Sequence, residues 1–396
     1  MKKSKFISFL FPNIFISLII VGIIVFPSQS LSAAKSGLSI WTNVLIPSLL
    51  PFMIFSNLIV EFKFVDIIGI IINPITKFVF NVSGKGSLIF AISTVCGYPI
   101  GAKLASDLRL KSEISKNEAQ RLISFCSTSG PLFIIGAVAT GMFNNPNLGY
   151  LMIIAHYLGS ISVGLVFRNV GKDVISNSEI SIKKNILNTI NTYSSNVLSL
   201  FGNAVYAGIN TILMVGGYVI IFSVIYEVLK LFDIISFLSY LLHIPFSLLG
   251  LSLEFCDAFI SGLFEITIGC SKISQLSNIS QMNQIIFCSF LIGFSGFSIL
   301  AQCSNFIVKT DLNIKLYFVS KLLHGFFASL FTWLLYNNFY SLINVSSFNY
   351  INNLFFNNSF ILFYFRNYKI IIVILLLLHL FLLLYKNYNK NQKITY

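Results

Sequence analysis

A chain of 396 residues that is 56% hydrophobic and only 10% charged is not an ordinary soluble domain, which carries about 25% charged residues. Its mean hydropathy of +0.84 makes lipid the solvent for most of it. The formal net charge of +13 raises nucleic acid as a partner, a reading that the placement of the basic residues argues against below.

Lys2, Lys3 and Lys5 precede an apolar run over residues 6–26. A cleaved signal peptide is the alternative, because SLSA at 30–33 offers small residues. The run exceeds the about 7–15 residues of a signal core, so the sequence predicts a retained membrane helix. Residues 31–43, ending near Trp41, read as interfacial, and 44–60 as a span marked by Pro47 and Pro51. Residues 62–84 hold shorter apolar pieces broken by Lys63, Asp66, Pro74 and Lys77, which suits a helix lying at the interface. Residues 87–108 read as a broken hairpin around GYP (97–99). The charged stretch 109–121 follows, with Ser115 and Glu118 at capping-box spacing. Residues 122–143 cross the membrane, interrupted at 127–131, and 148–167 form a span. The polar stretch 168–196 is the natural boundary between halves.

The second half repeats this order. Residues 201–229 form a long span, with Gly202, Gly208, Gly216 and Gly217 suited to close helix contact. Residues 231–245 look interfacial, 246–274 form a second broken hairpin, and 285–308 cross with an interruption at GFSG (293–296). Spans at 316–336 and 370–385 complete the chain, with an Asn-rich loop at 337–360. The triplet FCS occurs at 125–127 and again at 287–289. From Pro47 to Phe125 is 78 residues, and from Asn210 to Phe287 is 77. These spacings divide the chain into a membrane helix and interfacial segment (1–43), a first repeat (44–168), a cytoplasmic linker (169–196), a second repeat with the span after it (197–340), and a loop, last helix and basic tail (341–396).

Basic residues favour the cytoplasmic side in short loops. With a cytoplasmic N-terminus and both hairpins re-entrant, 21 of the 26 Lys and Arg residues fall inside, within 1–5, 61–121, 168–184, 309–321 and 386–396. The first hairpin then opens from inside and the second from outside. The expected fold is an all-α polytopic membrane protein: an inverted-topology repeat with two re-entrant hairpins and two broken helices, an architecture of secondary transporters. The same placement explains the positive charge without a nucleic-acid partner.

Unwound backbone at membrane depth is tolerated where it is buried in protein or lines a wet cavity. Helix N-termini at such breaks favour anions. The candidate substrate-binding residues are therefore Gly97, Tyr98, Pro99 and Lys103 on the first hairpin, with Ser127, Thr128, Ser129 and Gly130 at the first break. Glu265 and Thr267 on the second hairpin and Gly293, Ser295, Gly296, Ser298 and Gln302 at the second break complete the set. Gly130 and Gly296 are expected to be needed for their backbone. Glu265 amid apolar residues reads as functional; it could take a coupling proton or cation, or pair with Lys103. Lys103 could hold an anionic substrate. The alternatives are a Glu at a wet hairpin tip, a snorkelling Lys and breaks that are packing kinks. The six cysteines show no CxxC spacing and read as free buried thiols. No Walker motif, GxSxG or His/Asp/Glu metal set occurs, so neither an enzyme active site nor a resident cofactor is expected; a coupling proton or sodium ion is admitted.

The segments LIPSLLPFMIFSNLI (45–59), GYPIGAKLASDL (97–108), SGPLFIIGAVATGMF (129–143), GLFEITIGCS (262–271) and GFSGFSILAQ (293–302) resemble the YlbJ (SpoVV) family of sporulation integral membrane proteins. The resemblance covers roughly residues 1–340. It implies nucleoside-recognition gate domains similar to those of concentrative nucleoside transporters, and a role in endospore formation. It further implies a carrier in the outer forespore membrane that moves dipicolinic acid. Two other readings stand beside it: a carrier for a nucleoside or other small organic solute, and a non-transporting scaffold in spore-envelope assembly. The partners expected are a small-molecule substrate and the bilayer, with homo-oligomerisation left open.

Overall fold

The computed structural model describes residues 3–171 and 196–344, and every regular element among them is helical. Helix α1 (Lys3–Val25) meets α2 (Pro27–Ile40) at an angle of 105°. A π-helical turn, Trp41–Leu45, carries α2 into α3 (Ile46–Glu61) without a gap. Pro47 enters α3 at its first turn, where a missing N–H is tolerated, and the wider turn before it makes room for the ring. Residues 31–43 are thus not separated from the following helix by a break. They belong to a continuous helical path from Pro27 to Glu61, as long as the 35-residue α9 introduced below.

The first half continues with α4 (Phe64–Phe80), the hairpin α5 (Gly84–Cys96) and α6 (Ile100–Leu110), and α7 (Lys116–Cys126). An unwound stretch at 127–130 leads to a π-helical segment, Phe133–Met142, and then to α8 (Pro146–Phe167). The second half runs α9 (Val197–Leu231), α10 (Ile234–Ser247), the hairpin α11 (Leu253–Phe264) and α12 (Ile266–Ser274), α13 (Gln281–Phe294), α14 (Gly296–Ile307) and α15 (Ile314–Asn344). The expected linker at 169–196 and the last span at 370–385 lie largely or wholly outside the described residues. The described residues up to Tyr340 fall in one compact unit.

Local chemistry marks equivalent points in the two halves. Lys63 and Asp233 both take the left-handed conformation, at φ 58° and 57°, just before α4 and α10. The broken crossings both start at a serine cap: Ser115 Oγ accepts the Glu118 N–H at 3.0 Å, and Ser280 Oγ accepts that of Asn283 at 3.3 Å. Each such cap contributes about 1 kcal/mol. The Glu118 carboxylate also accepts the Ser83 N–H, at 2.7 Å, at the start of α5.

The packing shows how the halves are related. Trp41 Nε1 donates to Ile212 O at 2.9 Å and Asn57 Nδ2 to Ala204 O at 3.5 Å, while Gly37 faces Ser223 and Ile54 lies on Gly208. Numbers rise on one helix as they fall on the other, so the two equivalent long helices run antiparallel. Equivalent elements packed antiparallel are related by a two-fold axis perpendicular to them. For helices that cross a bilayer, that is inversion. Two observations repeat the point. Helix α6 packs on α14, and α12 packs on the segment Phe133–Met142, an exchange of equivalent partners. His156 of α8 and His324 of α15, at matching positions, meet with ring centroids 4.4 Å apart and planes tilted by 38°.

In lipid, helices associate through close packing and not through hydrophobic expulsion. A side chain at Gly208 would strike Ile54, and one at Gly216 would strike Trp41. Gly202 and Gly217 have nothing within 4 Å, so only two of the four glycines expected at contacts serve there. Helices α8, α9 and α15 and the broken α13–α14 crossing are long and apolar enough to span a membrane. Ile71, Ile75 and Phe78 of α4 and Phe237, Leu241 and Ile244 of α10 point outward, as lipid-facing side chains do.

Candidate functional site

The tip of each hairpin meets the break of its own half. At the first tip Gly97 has φ 75° and ψ −166°, a region essentially limited to glycine. A Cβ there would lie 2.5 Å from Gly130 N, so the tip rests directly on the unwound backbone. Ser129 N donates to His156 Nε2 at 2.9 Å and Thr128 Oγ1 to Ser93 O at 3.3 Å; Ser127 Oγ bonds Tyr317 Oη at 3.0 Å. The break is therefore built into its surroundings at three successive residues.

At the second tip a single extended residue, Glu265, separates α11 from α12. Its carboxylate accepts the Ile268 N–H at 2.9 Å and the Thr267 hydroxyl at 3.2 Å. A carboxylate at a helix N-terminus is favoured by the helix dipole, which is how an acidic group is kept only 3% exposed. Among the described residues no Lys or Arg forms an ion pair with it. The second break is one residue, Ser295, in the left-handed conformation, and the next residue, Gly296, packs on Gly262 O.

Both tips, the first break and the helix that follows the second break open onto a cavity of about 70 Å³. At roughly 10–15 Å³ per water, that is room for a small water cluster. Gly97, Tyr98, Ser129 and Gly130 line it from the first half, and Glu265, Thr267, Ser298 and Gln302 from the second. Leu45, Leu49 and Phe52 of the long first helix and Val215 and Val219 of α9 supply apolar walls. The remaining expected residues lie elsewhere. Lys103 is exposed on α6 and does not line the cavity, so it forms no pair with Glu265. Pro99, Ser127 and Thr128 are buried behind the wall. Gly293 is a helix contact, where a Cβ would fall 2.8 Å from Gly325 Cα. Ser295 directs its hydroxyl to Phe294 O, and Gly296 serves the turn.

A buried polar cluster behind Tyr98 has no counterpart in the expected site. Lys321 of α15 is fully buried and bonds Tyr98 Oη at 3.0 Å, Ser127 O at 2.6 Å and His324 Nδ1 at 3.2 Å. The charge census counts Lys321 among the cytoplasmic residues of 309–321, although it falls in the expected span at 316–336; it lies within the long helix α15. Its signal is present in the sequence: Lys321 and His324, three apart, share one face of an otherwise apolar stretch.

Two further clefts flank the cavity. One, of about 320 Å³, is lined by Ser223, Tyr226 and Glu227 of α9 with Lys272 of α12. There Tyr226 donates to Asp257 Oδ1 at 2.6 Å and Lys272 Nζ to Asp257 Oδ2 at 3.3 Å. The other, of about 10 Å³, is lined by Met53, Ser56 and Asn57 with Ile100 of α6. Adding 170 to Met53, Ser56 and Asn57 gives Ser223, Tyr226 and Glu227, so equivalent residues of the two long helices line clefts of different size.

An inverted helical repeat with paired hairpins and broken helices around one central cavity defines a transporter-like integral membrane protein. Comparison with known proteins narrows the class. The chain is 37% identical over 351 residues to the sporulation integral membrane protein YlbJ of Bacillus subtilis (strain 168), covering 86% of each chain, and it belongs to that family. No family model matches it. Among solved structures, CNTnw in an inward-facing substrate-bound state aligns at 12% identity and a TM-score of 0.49, over 82% of this chain and 90% of that one. A doubly substituted variant of CNTnw in an outward-facing state aligns at 14% identity and a TM-score of 0.47, over 83% and 85%.

Proposed function

We propose that this protein is a secondary carrier for a small organic anion, with dipicolinic acid as its cargo across the outer forespore membrane during sporulation. The observation that carries the reading is the convergence of both hairpin tips, the first unwound break and the helix after the second break on one cavity. A scaffold needs no such convergence, because unwound backbone in a membrane is costly unless it serves a buried or wet site. The cavity is small in the described conformation and widens to admit the solute. Gly97, Tyr98, Ser129, Gly130, Glu265, Thr267, Ser298 and Gln302 form the binding surface of this reading, and Glu265 is its candidate for a coupling proton or sodium ion. Membership in a sporulation family supports the physiological setting.

The test is uptake of labelled dipicolinate into proteoliposomes that contain only this protein, beside uptake of uridine. Accumulation of dipicolinate above protein-free vesicles is expected. Uptake of uridine without dipicolinate refutes the anion reading, and uptake of neither favours the scaffold.

A further inference from the structure

We propose that Lys321 determines the charge of the solute: its buried ammonium makes the cavity selective for a carboxylate-bearing anion, acting through Tyr98 and the break at 127–130. This inference rests on the carrier reading above.

The protonation state follows from the partners. Tyr98 donates its one proton to Ile292 O at 3.1 Å, so its oxygen accepts from Lys321. The Ser127 carbonyl can only accept. His324 gives its Nε2 proton to His156 O at 3.0 Å, which leaves Nδ1 as a lone pair. Three acceptors surround one nitrogen, and the ammonium, with three donors, is the form that satisfies all of them in this arrangement. Among the described residues no carboxylate lies within ion-pair distance of it. Glu265 is engaged at the start of α12 by Ile268 and Thr267. A buried ammonium without an anion is strongly unfavourable, so the site lacks one negative charge.

The cavity is where that charge would be supplied. Lys321 Nζ sits 4.9 Å from the centroid of the Tyr98 ring, and Tyr98 lines the cavity. Ser127, whose carbonyl it grips, begins the unwound stretch that continues to the lining residues Ser129 and Gly130. A carboxylate in contact with that ring lies roughly 8 Å from Nζ, and at an effective dielectric of 20 the attraction amounts to about 30-fold in affinity. Lys321 is a positioning and specificity residue, since Tyr98 stands between it and the cavity.

The experiment measures binding to the full-length protein in nanodiscs by thermal shift. The probes are pyridine-2,6-dicarboxylate and its neutral diamide, which share shape and differ in charge. The wild type should bind the diacid at least 10-fold more tightly than the diamide. Lys321→Gln should lose that preference while still binding the diamide, and Lys321→Arg should restore it. A merely structural lysine would weaken both probes together. Equal diacid preference in wild type and Lys321→Gln overturns the inference and leaves the carrier reading standing. A wild type that binds only the diamide, or neither probe, overturns the carrier reading and this inference with it. Where Lys321→Gln fails to accumulate, the wild-type ratio alone decides, and a ratio near one overturns the proposal.

Discussion

Gly97→Ala is the sharpest perturbation of this architecture. The native φ of 75° and ψ of −166° cost a non-glycine residue about 1–3 kcal/mol. The added methyl would lie 2.5 Å from Gly130 N and 2.9 Å from Gly130 Cα, against an ordinary contact beginning at 3.4 Å. Both atoms are backbone, so no side chain can rotate away. The tip and the break must separate by about 0.9 Å, a displacement of the overpacking kind that costs about 1–3 kcal/mol. Against this stands a gain of about 0.4–1 kcal/mol from the stiffer unfolded chain. The net loss is roughly 1–6 kcal/mol, concentrated where the first tip meets the first break.

Gly130→Ala is the matched control. Its Cβ would have nothing nearer than 3.5 Å, and its φ is not in the left-handed region. The backbone demand that the sequence suggests at Gly130 therefore falls on Gly97. The assay is the apparent melting temperature of each purified variant, with and without solute, alongside uptake. Gly130→Ala should behave nearly as wild type. Gly97→Ala should melt earlier and lose both the solute-induced shift and transport. A Gly97→Ala protein that equals wild type in melting and uptake refutes the tip-on-break geometry.

Cysteines at Lys111 and Ser277 should label from opposite sides of the membrane; labelling of both from one side contradicts inversion. Glu265→Gln keeps an acceptor for the Ile268 N–H, so the protein should accumulate normally, while uptake falls at least 10-fold and loses part of its pH dependence; unchanged uptake removes Glu265 from the site. A cysteine at Glu227, in the wider cleft, should react with a polar maleimide faster than one at its mate Asn57, and saturating solute should shift the ratio. Equal rates at both sites that solute leaves unchanged argue against two clefts opening in turn.

The architecture is legible because it is written in backbone chemistry. Ser115, Ser280, the serine-rich break at 127–130 and the Gly-rich GFSG announce helix starts and breaks wherever they occur, and charge placement suggests the orientation. The sequence sets 31–43 apart from the helix that follows for a definite reason. Ser, Gly and Lys lower the hydropathy of that stretch, yet its small residues are what let α2 lie against α9, with Gly37 facing Ser223. The site is less legible. Nearness in sequence singles out Lys103, but a residue beyond the hairpin tip on α6 has left the cavity and reached the surface. Lys321 lies more than 200 positions from Tyr98, and only the packing of α15 across the first half brings the two together.

The two-fold relation gives a stricter way to search such a sequence. Adding 168 to Gly97, Ser127, Ile153 and His156 gives Glu265, Ser295, Lys321 and His324. The serine at each break and the histidine near the axis recur, as residues that serve the shared scaffold should. Two ionisable side chains at the cavity do not recur: Glu265 replaces a glycine at the tip, and Lys321 replaces an isoleucine on the last span of its repeat. Symmetry in the backbone suits a protein that exchanges two equivalent conformations. A solute with its own charge has no such symmetry, and the groups that recognise it have to break the repeat. Glu265 and Lys321 are two such departures that lie at or directly behind the wall of one cavity, and on the carrier reading proposed above they are where recognition of a charged solute would break the repeat.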